Sequence, residues 1–290
     1  MTRIALGAAQ FGMGYGVANE NGQPSLYEVE QVLNTARLNG VGFIDTAKAY
    51  GDSEEILGSF NLDTFEVGTK IHLNNSEEVT EYLLKGIKDS CKKLNKDRLN
   101  CVLLHDINDL KRADAKIVVD SLVELKETGL VKSVGVSIYA PNDLDLVFSL
   151  FVPDIIQGPY NLLDKRLKYS GWLRKIKELG VEFHARSVFL QGLLILEKDA
   201  RPIYFRKWEN ALENIDRLAK KNGLTKQELA LGFVLKEKDV DRLIMGVDSE
   251  EQLSQLLKIE KKMSDLEINF TDINNTNDLD LIEPRRWQLK

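Results

Sequence analysis

The chain has 290 residues, a length that fits either two ordinary domains or one large α/β barrel with additions. Hydrophobic residues make up 43% and charged residues 29%, a balance that indicates a globular protein and excludes disordered and fibrous chains. The 39 basic and 45 acidic side chains give a net charge of −6, so the sequence has no basic footprint and nucleic acid is not expected as a partner.

The sequence contains no signal for a membrane or a secretory pathway. No apolar run approaches the roughly 20 residues needed to cross a bilayer, and Met1–Gly16 is too short and glycine-rich for a signal peptide. Cys91 and Cys101 are the only cysteines and lack CxxC spacing, which indicates a reducing compartment. We therefore expect a cytoplasmic protein. The three histidines are scattered without ligand spacing, so no metal is expected.

Short apolar, β-rich runs alternate with amphipathic stretches along the chain. Strands are predicted at Ile4–Ala8, Gly42–Asp45, Phe65–Lys70, Leu99–His105, Val131–Ser137, Asp154–Gln157, Val181–Arg186 and Arg242–Gly246. Helices are predicted at Leu26–Asn39, Ser53–Ser59, Ser76–Leu94, Asp114–Thr128, Asn142–Phe151, Lys165–Leu179, Tyr204–Asn222, Lys226–Glu237 and Glu250–Met263.

This alternation is typical of repeated βα units around a parallel sheet. No Pro/Ser-rich linker or low-complexity tract divides the chain, so we predict one domain over residues 1–290. The fold class is α/β, a (β/α)8 TIM barrel with an extra helix before the last strand and a C-terminal appendage over residues 264–290. A doubly wound sheet is the alternative, because the strand count from sequence is uncertain.

Four polar residues lie at the ends of predicted strands or just beyond them. Asp45, Lys70 and His105 end the second, third and fourth strands, and Tyr50 follows Asp45 by five residues. Barrel enzymes place their chemistry at the carboxyl ends of the strands, so these side chains are predicted to meet at one mouth.

The motif Asp45-Thr46-Ala47-Lys48-Ala49-Tyr50-Gly51, followed by Lys70 and His105 at strand ends, resembles the aldo-keto reductase family. The resemblance runs along nearly the whole chain and includes Gly135-Val136-Ser137 and Gln191-Gly192-Leu193-Leu194. It implies an NAD(P)H-dependent oxidoreductase that reduces an aldehyde or ketone to an alcohol by hydride transfer.

The resemblance gives each of the four residues a role. Tyr50 would be the proton donor, and a nearby ammonium would help because a free phenol, with a pKa of ~10, is a weak acid near neutrality. Lys70 would supply that ammonium and Asp45 would pair with it, since a buried unpaired charge is costly. His105 would orient the substrate carbonyl by donating a hydrogen bond.

The resemblance also implies a cofactor site, with NADP(H) preferred and NAD(H) as the alternative. Several positions depart from the family pattern. Ile138 stands in place of an asparagine, Arg186 in place of a stacking tyrosine, and Gln255 and Leu256 in place of a Glu-Asn pair. In the last loop, Asp248 brings a carboxylate close to the expected 2′-phosphate. The expected cofactor contacts are Gly12, Met13, Asp45, Ser137, Gln157, Arg186, Ser187, Val188, Phe189, Gln191, Gly192, Leu193, Gly246, Val247, Asp248 and Gln252.

Two other functions are weighed against the reductase. Lys70 could form a Schiff base in a barrel aldolase, or the chain could be a cofactor-sensing regulatory barrel without significant turnover. The expected partner is a small-molecule carbonyl substrate, and Arg186 with His105 favours a sugar-like or acidic one. The basic and aromatic segment Glu283–Trp287 could cover the mouth or be an ordinary surface tail. We expect a monomer or a small homo-oligomer.

Overall fold

A closed barrel of eight parallel strands forms the centre of the part of the chain that the computed structural model describes, namely residues 2–74, 78–264, 266, 268, 270 and 276–289. The strands are β1 (Ile4–Gly7), β2 (Phe43–Asp45), β3 (Glu66–Ile71), β4 (Leu99–Leu104), β5 (Val131–Ser137), β6 (Ile155–Pro159), β7 (Glu182–Arg186) and β8 (Arg242–Gly246). Each strand pairs with its sequence neighbour, and β1 pairs with β8 from Ile4 opposite Leu243 to Gly7 opposite Gly246. The predicted barrel is confirmed, and the doubly wound sheet is excluded because it would leave two open edges.

Helices follow the strands and surround the barrel. They are α1 (Ala9–Gly12), α2 (Leu26–Leu38), α3 (Ser53–Gly58), α4 (Val79–Lys93), α5 (Ala115–Glu127), α6 (Asn142–Leu150), α7 (Arg166–Tyr169), α8 (Trp172–Glu178), α9 (Glu209–Lys221), α10 (Lys226–Leu235), α11 (Glu250–Ser264) and α12 (Leu279–Ile282). Short 3₁₀ turns lie at Ile107–Leu110, Lys198–Ala200, Ile203–Trp208 and Pro284–Arg286. None of the described helices is both long and apolar enough to span a membrane.

Capping side chains fix several helix starts. The Ser25 and Thr225 side chains each accept a hydrogen bond from the backbone N–H of the third residue of α2 and α10, respectively. The glutamate side chains at those third positions accept in turn from the Ser25 and Thr225 backbone N–H groups, which forms two capping boxes. The Glu78 carboxylate caps α4 by accepting from two backbone N–H groups. The predicted start of this helix at Ser76 lies outside the described residues.

Two predicted helices are divided in the structure. The expected helix Lys165–Leu179 is interrupted at Gly171, whose φ of +79° is a left-handed conformation that glycine adopts without steric cost. The first turns expected from Tyr204 form a 3₁₀ turn, in which the Tyr204 hydroxyl and the Trp208 indole N–H donate to Asp280 and Asp278 of the C-terminal segment. Those tertiary contacts override the local helical pattern.

The apolar core has two layers. A large cluster lies between the strands and the helices, and a small one of Ala5, Phe43, Cys101, Leu103 and Ile155 comes from strands alone. Alternate residues of a strand point to opposite faces, so a barrel strand contributes to both layers. The interior is therefore packed, and open space is found at the carboxyl ends of the strands.

Candidate active site

Asp45 and Lys70 form a buried ion pair at the barrel mouth. The Lys70 Nζ lies 2.6 Å from Asp45 Oδ2 and donates further hydrogen bonds to the Thr46 carbonyl oxygen at 3.0 Å and the Tyr50 hydroxyl at 3.3 Å. These three acceptors match the three protons of an ammonium group. Burial alone would lower the pKa of Lys70, but Asp45 and Tyr50 outweigh it and the pKa is raised above its ordinary value. Lys70 is therefore a protonated cation.

Both carboxylate oxygens of Asp45 have partners. Oδ2 accepts from Lys70, and Oδ1 accepts from the Gln157 side-chain amide at 2.8 Å. Gln157 lies on β6 next to Ser137, the last residue of β5, in the strand register. The four strands β2, β3, β5 and β6 thus contribute to one polar cluster, and the structure brings Asp45, Lys70 and Tyr50 together there.

His105 follows β4 and lies beside the Tyr50 ring, with ring centroids 5.6 Å apart in an edge-on arrangement. On another side it stacks on His72 at 4.4 Å. Burial, the Lys70 charge and the neighbouring His72 and Arg186 lower the pKa of His105 to about 2. The imidazole is therefore neutral at physiological pH, and its buried Nδ1 has no hydrogen-bond partner among the described residues.

A cavity of about 630 Å³ opens above this cluster. Ligand pockets for small molecules typically range from about 300 to 1,000 Å³. Among the expected site residues, the cavity is lined by Asp45, Tyr50, His105, Ser137, Gln157, Arg186, Ser187, Val188, Phe189, Gln191, Gly192, Gly246, Val247, Asp248 and Gln252. Lys70 is not in this lining, because it is only 1% exposed and lies behind Asp45 and Tyr50.

Three expected cofactor contacts, Gly12, Met13 and Leu193, lie outside the cavity lining. Gly12 packs against the loop that carries Tyr50, where a Cβ would lie 1.8 Å from the Tyr50 carbonyl oxygen. Met13 follows α1 and is not among the lining residues. Leu193 is fully buried, and its side chain belongs to the apolar core.

The first βα loop crosses the cavity toward the loops after β7 and β8. The Val17 N–H donates to the Gln191 carbonyl oxygen at 3.0 Å, and the Gln191 amide contacts the Tyr15 hydroxyl at 3.2 Å. The Asn19 amide donates to Asp248 Oδ1 at 3.3 Å. Burial is the main cause that raises the pKa of Asp248 above its usual range.

The C-terminal segment contributes residues that the sequence analysis left undecided. Pro284 and Arg285 line the cavity, so the segment lies at the mouth. Trp287 anchors it, because the indole N–H donates to the Leu281 carbonyl oxygen and the ring packs on Phe205 at 4.8 Å. The basic and aromatic composition of this segment was the only signal for that position in the sequence.

Within the described ranges, no group of three His, Cys, Asp or Glu side chains is arranged to hold a metal ion. Cys91 and Cys101 are both buried free thiols, and burial raises the pKa of each above its ordinary value.

A titratable cluster at the carboxyl ends of the strands of a closed (β/α)8 barrel defines a barrel enzyme. Residues 3–273 match the model of the aldo/keto reductase family, and the chain belongs to that family of nicotinamide-dependent oxidoreductases. This confirms the resemblance that the sequence motifs indicated.

The matches to individual proteins are distant. The chain is 29% identical to D-arabinose 1-dehydrogenase of Saccharomyces cerevisiae over 128 residues, which cover 40% of this chain and 38% of that protein. It is 22% identical to L-glyceraldehyde 3-phosphate reductase of Escherichia coli K12 over 293 residues, covering 87% and 83%. The fold is similar to that of aldo-keto reductase AKR11C1 from Bacillus halodurans in its holo form, with a TM-score of 0.72, 19% identity and coverage of 94% and 95%.

Proposed function

We propose that this chain reduces the carbonyl group of a small aldehyde or ketone to an alcohol, with Tyr50 as the proton donor. The observation that carries the proposal is the hydrogen bond of 3.3 Å between the buried Lys70 ammonium and the Tyr50 hydroxyl at the cavity wall. The reaction needs a hydride at the carbonyl carbon and a proton at its oxygen. The geometry offers a positioned acid for the second requirement.

Residues around the cavity fit a nicotinamide dinucleotide. The Ser137 hydroxyl and the Gln157 amide are neutral groups suited to a carboxamide, and the α11 N-terminus beside Asp248 offers backbone N–H groups for a phosphate. When bound, the cofactor would supply the hydride. We propose NADP(H) as this cofactor, in line with the resemblance, and NAD(H) as the alternative because Asp248 opposes a 2′-phosphate.

The proton step is carried by Tyr50 and the charges behind it. When Tyr50 gives its proton to the developing alkoxide, the phenolate left behind is stabilised by the Lys70 ammonium. Asp45 holds that ammonium in place without reaching the phenol itself. Neutral His105, beside the Tyr50 ring, can donate a hydrogen bond to the same carbonyl oxygen and orient it.

The environment of Lys70 supports the reductase over the Schiff-base aldolase. A Schiff base needs a neutral, accessible amine, whereas Lys70 is buried, is outside the cavity lining and has a raised pKa. Borohydride trapping of a covalent adduct at Lys70 with a keto substrate would favour the aldolase.

The residues at the mouth of the cavity support a proposal for the substrate class. Arg186 and His105 line it and support a sugar-like or acidic carbonyl compound. The names of the D-arabinose and L-glyceraldehyde 3-phosphate enzymes among the relatives agree with that class.

A turnover assay tests the proposal. Purified protein is screened with aldehydes, keto-sugars and keto-acids, with NADPH and NADH in parallel, and loss of the nicotinamide absorbance is followed. We expect turnover in wild type and a loss of about 10²-fold or more in kcat for Tyr50→Phe, because the hydroxyl that would give the proton is removed. Cofactor affinity, measured by fluorescence titration, should be retained.

Two results would contradict the proposal. Near wild-type turnover of Tyr50→Phe would remove Tyr50 from the acid role. Cofactor binding without turnover of any carbonyl compound in the screen would instead support the regulatory barrel.

A further inference from the structure

Two arginines from distant parts of the chain meet at one aromatic ring in the cavity wall. The guanidinium carbon of Arg186 lies 4.3 Å from the centre of the Tyr139 ring, and that of Arg285 lies 3.7 Å from the same point. All three residues line the cavity. Arg186 ends β7, Tyr139 follows β5 and Arg285 belongs to the C-terminal 3₁₀ turn, so the fold assembles this group from separate elements.

The charges of this group are not balanced. Arg186 donates to the Ile138 carbonyl oxygen at 3.0 Å and to the Ser187 hydroxyl at 3.3 Å, and among the described residues no carboxylate pairs with it. Neutral oxygens accept these two hydrogen bonds, but they leave the charge of Arg186 uncompensated. A half-buried guanidinium in this state is suited to receive an anion.

Arg285, the second arginine, shares its carboxylate partner with Arg166. Arg285 lies 3.3 Å from the buried Glu283 carboxylate, which also faces Arg166 at 3.5 Å. Arg166 pairs in addition with Asp164 at 2.8 Å. The surroundings of Tyr139 thus hold three guanidinium groups and three carboxylates, because Asp143 also accepts from the Tyr139 and Ala140 backbone N–H groups. Among the described residues, Arg186 is the guanidinium of this set that has no ion pair.

This positive charge lies near the proposed reacting groups. Asp45, the carboxylate of the lining beside Tyr50, is already neutralised by Lys70. The other lining carboxylate, Asp248, belongs to the loop between β8 and α11 and contacts Asn19. Arg186, in contrast, has no carboxylate partner among the described residues, and its positive charge is one of the causes that lower the pKa of His105.

We infer that Arg186 and Arg285, held beside Tyr139, form a subsite for an anionic group carried by the carbonyl substrate, with Arg285 as a specificity-determining residue. The inference rests on the proposed reductase function and specifies its substrate class. The anion is a carboxylate or a phosphate ester, since a planar guanidinium binds both through paired hydrogen bonds. The C-terminal segment would then select the substrate.

Matched substrate pairs test this inference. One pair is 4-carboxybenzaldehyde and its neutral methyl ester, and the other is glyceraldehyde 3-phosphate and glyceraldehyde. The measured quantity is the ratio of kcat/KM for the anionic to the neutral member of each pair. We expect this ratio to fall about tenfold or more in Arg285→Gln for at least one pair, because a charge-assisted hydrogen bond is lost.

Arg286→Gln is the matched control. Arg286 is the next residue in the same turn, pairs with Asp280 at 2.9 Å and does not line the cavity. Its ratio should equal that of wild type. The pair whose ratio falls in Arg285→Gln identifies the anion as carboxylate or phosphate.

The outcomes separate this inference from the proposed function. Wild-type turnover of both members of each pair, with ratios unchanged in Arg285→Gln, would overturn the inference and leave the reductase in place. A loss of cofactor affinity in Arg285→Gln, with unchanged substrate ratios, would also overturn it, because the arginine would then serve the cofactor. Absence of turnover with every substrate would instead count against the proposed function.

Discussion

Lys70 is the residue on which the site depends, because a charge with 1% exposure is costly unless it is fully paired. Its three acceptors come from β2 and the loop after it. The charge of Lys70 is therefore compensated only when that loop has its folded conformation. The proposed proton donor is one of those acceptors. The stability of the barrel mouth and its chemistry are therefore coupled at one side chain.

Lys70→Met should damage both stability and turnover. Removing the ammonium leaves the buried Asp45 carboxylate with Gln157 alone, a change that costs about 3 to 5 kcal/mol of unfolding free energy in comparable buried pairs. Urea unfolding measures this loss. Adding Asp45→Asn should restore part of the stability but not the turnover. Near wild-type turnover of Lys70→Met would contradict the role proposed for the ammonium.

His105 should make the protein less stable in mild acid. Its folded pKa is about 2 against an ordinary value of 6.5, so the unfolded chain takes up the proton first and stability falls as the pH drops below 6.5. At pH 5 the loss is about 2 kcal/mol relative to pH 7.5. Urea unfolding at both pH values should show a smaller drop in His105→Gln than in wild type. Equal drops would mean that His105 is protonated in the folded state.

At the level of elements, the loops after β1 and β2 support each other. The Ala8 N–H donates to the Asp45 carbonyl oxygen at 2.9 Å, and the Ser53 hydroxyl donates to the Ala8 carbonyl oxygen at 2.8 Å. Gly12 and Gly51 pack backbone on backbone, and Gly51 has a φ of +53°. The glycine that ends the motif Asp45–Gly51 is thus required for this close approach.

Gly12→Ala should displace the loop that carries Tyr50. The added methyl group would lie 1.8 Å from the Tyr50 carbonyl oxygen, which is a backbone atom that cannot move without the loop. We expect turnover to fall by about tenfold or more, because small displacements of a reacting group are costly. Gly14→Ala is the control, since its nearest contact would be an ordinary 3.7 Å. Equal turnover in both variants would contradict the bracing role of Gly12.

The elements and the catalytic candidates were predictable from the sequence for a physical reason. A parallel barrel fixes the carboxyl ends of its strands on one face, so Asp45, Lys70 and His105 meet wherever the strands are recognised. The observed strand boundaries differ from the predicted ones by one or two residues; β3, for example, runs one residue past Lys70. These differences leave the three side chains at the same end of the barrel.

Loop orientation was not predictable in the same way. Gly12 ends α1 and packs against the loop that carries Tyr50, and Leu193 lies in the apolar core, so tertiary contacts decide where both residues face. Arg285 reaches the cavity only because Glu283 is buried against Arg166 and the following residues pack on the barrel. The contact between Glu283 and Arg166 joins residues more than 100 positions apart, and no local sequence pattern encodes it.

On the scale of the whole molecule, the first and last βα loops meet over the cavity. The pairing of β1 with β8 closes the barrel, and the contact between Asn19 and Asp248 joins the loops that follow these two strands. The Gln252 side chain accepts from the Asp248 N–H at 2.8 Å and fixes the last loop to the first turn of α11. The carboxylate is thus held at the edge of the proposed cofactor site rather than left free to turn into solvent.

Asp248 should therefore control the choice between the two cofactors. A carboxylate about 5 Å from a 2′-phosphate opposes it by about 3 kcal/mol at an effective dielectric near 20, before salt screening. Asp248→Asn removes this charge and keeps an oxygen that can accept from Asn19, so the loop contact is preserved. We expect the ratio of NADPH to NADH affinity to rise several-fold, with NADH binding nearly unchanged because NADH has no phosphate there.

Fluorescence titration of both cofactors against wild type and variant decides this prediction, with Asn19→Ala as the control for loss of the loop contact alone. Because exposed charges are screened by salt, the gain for NADPH should shrink as the ionic strength rises. If Asn19→Ala shifts the ratio as much as Asp248→Asn does, the loop contact and not the charge sets the preference. An unchanged ratio in Asp248→Asn would mean that the phosphate binds elsewhere, and the expected positions Gly246, Val247 and Gln252 would lose their assignment with it.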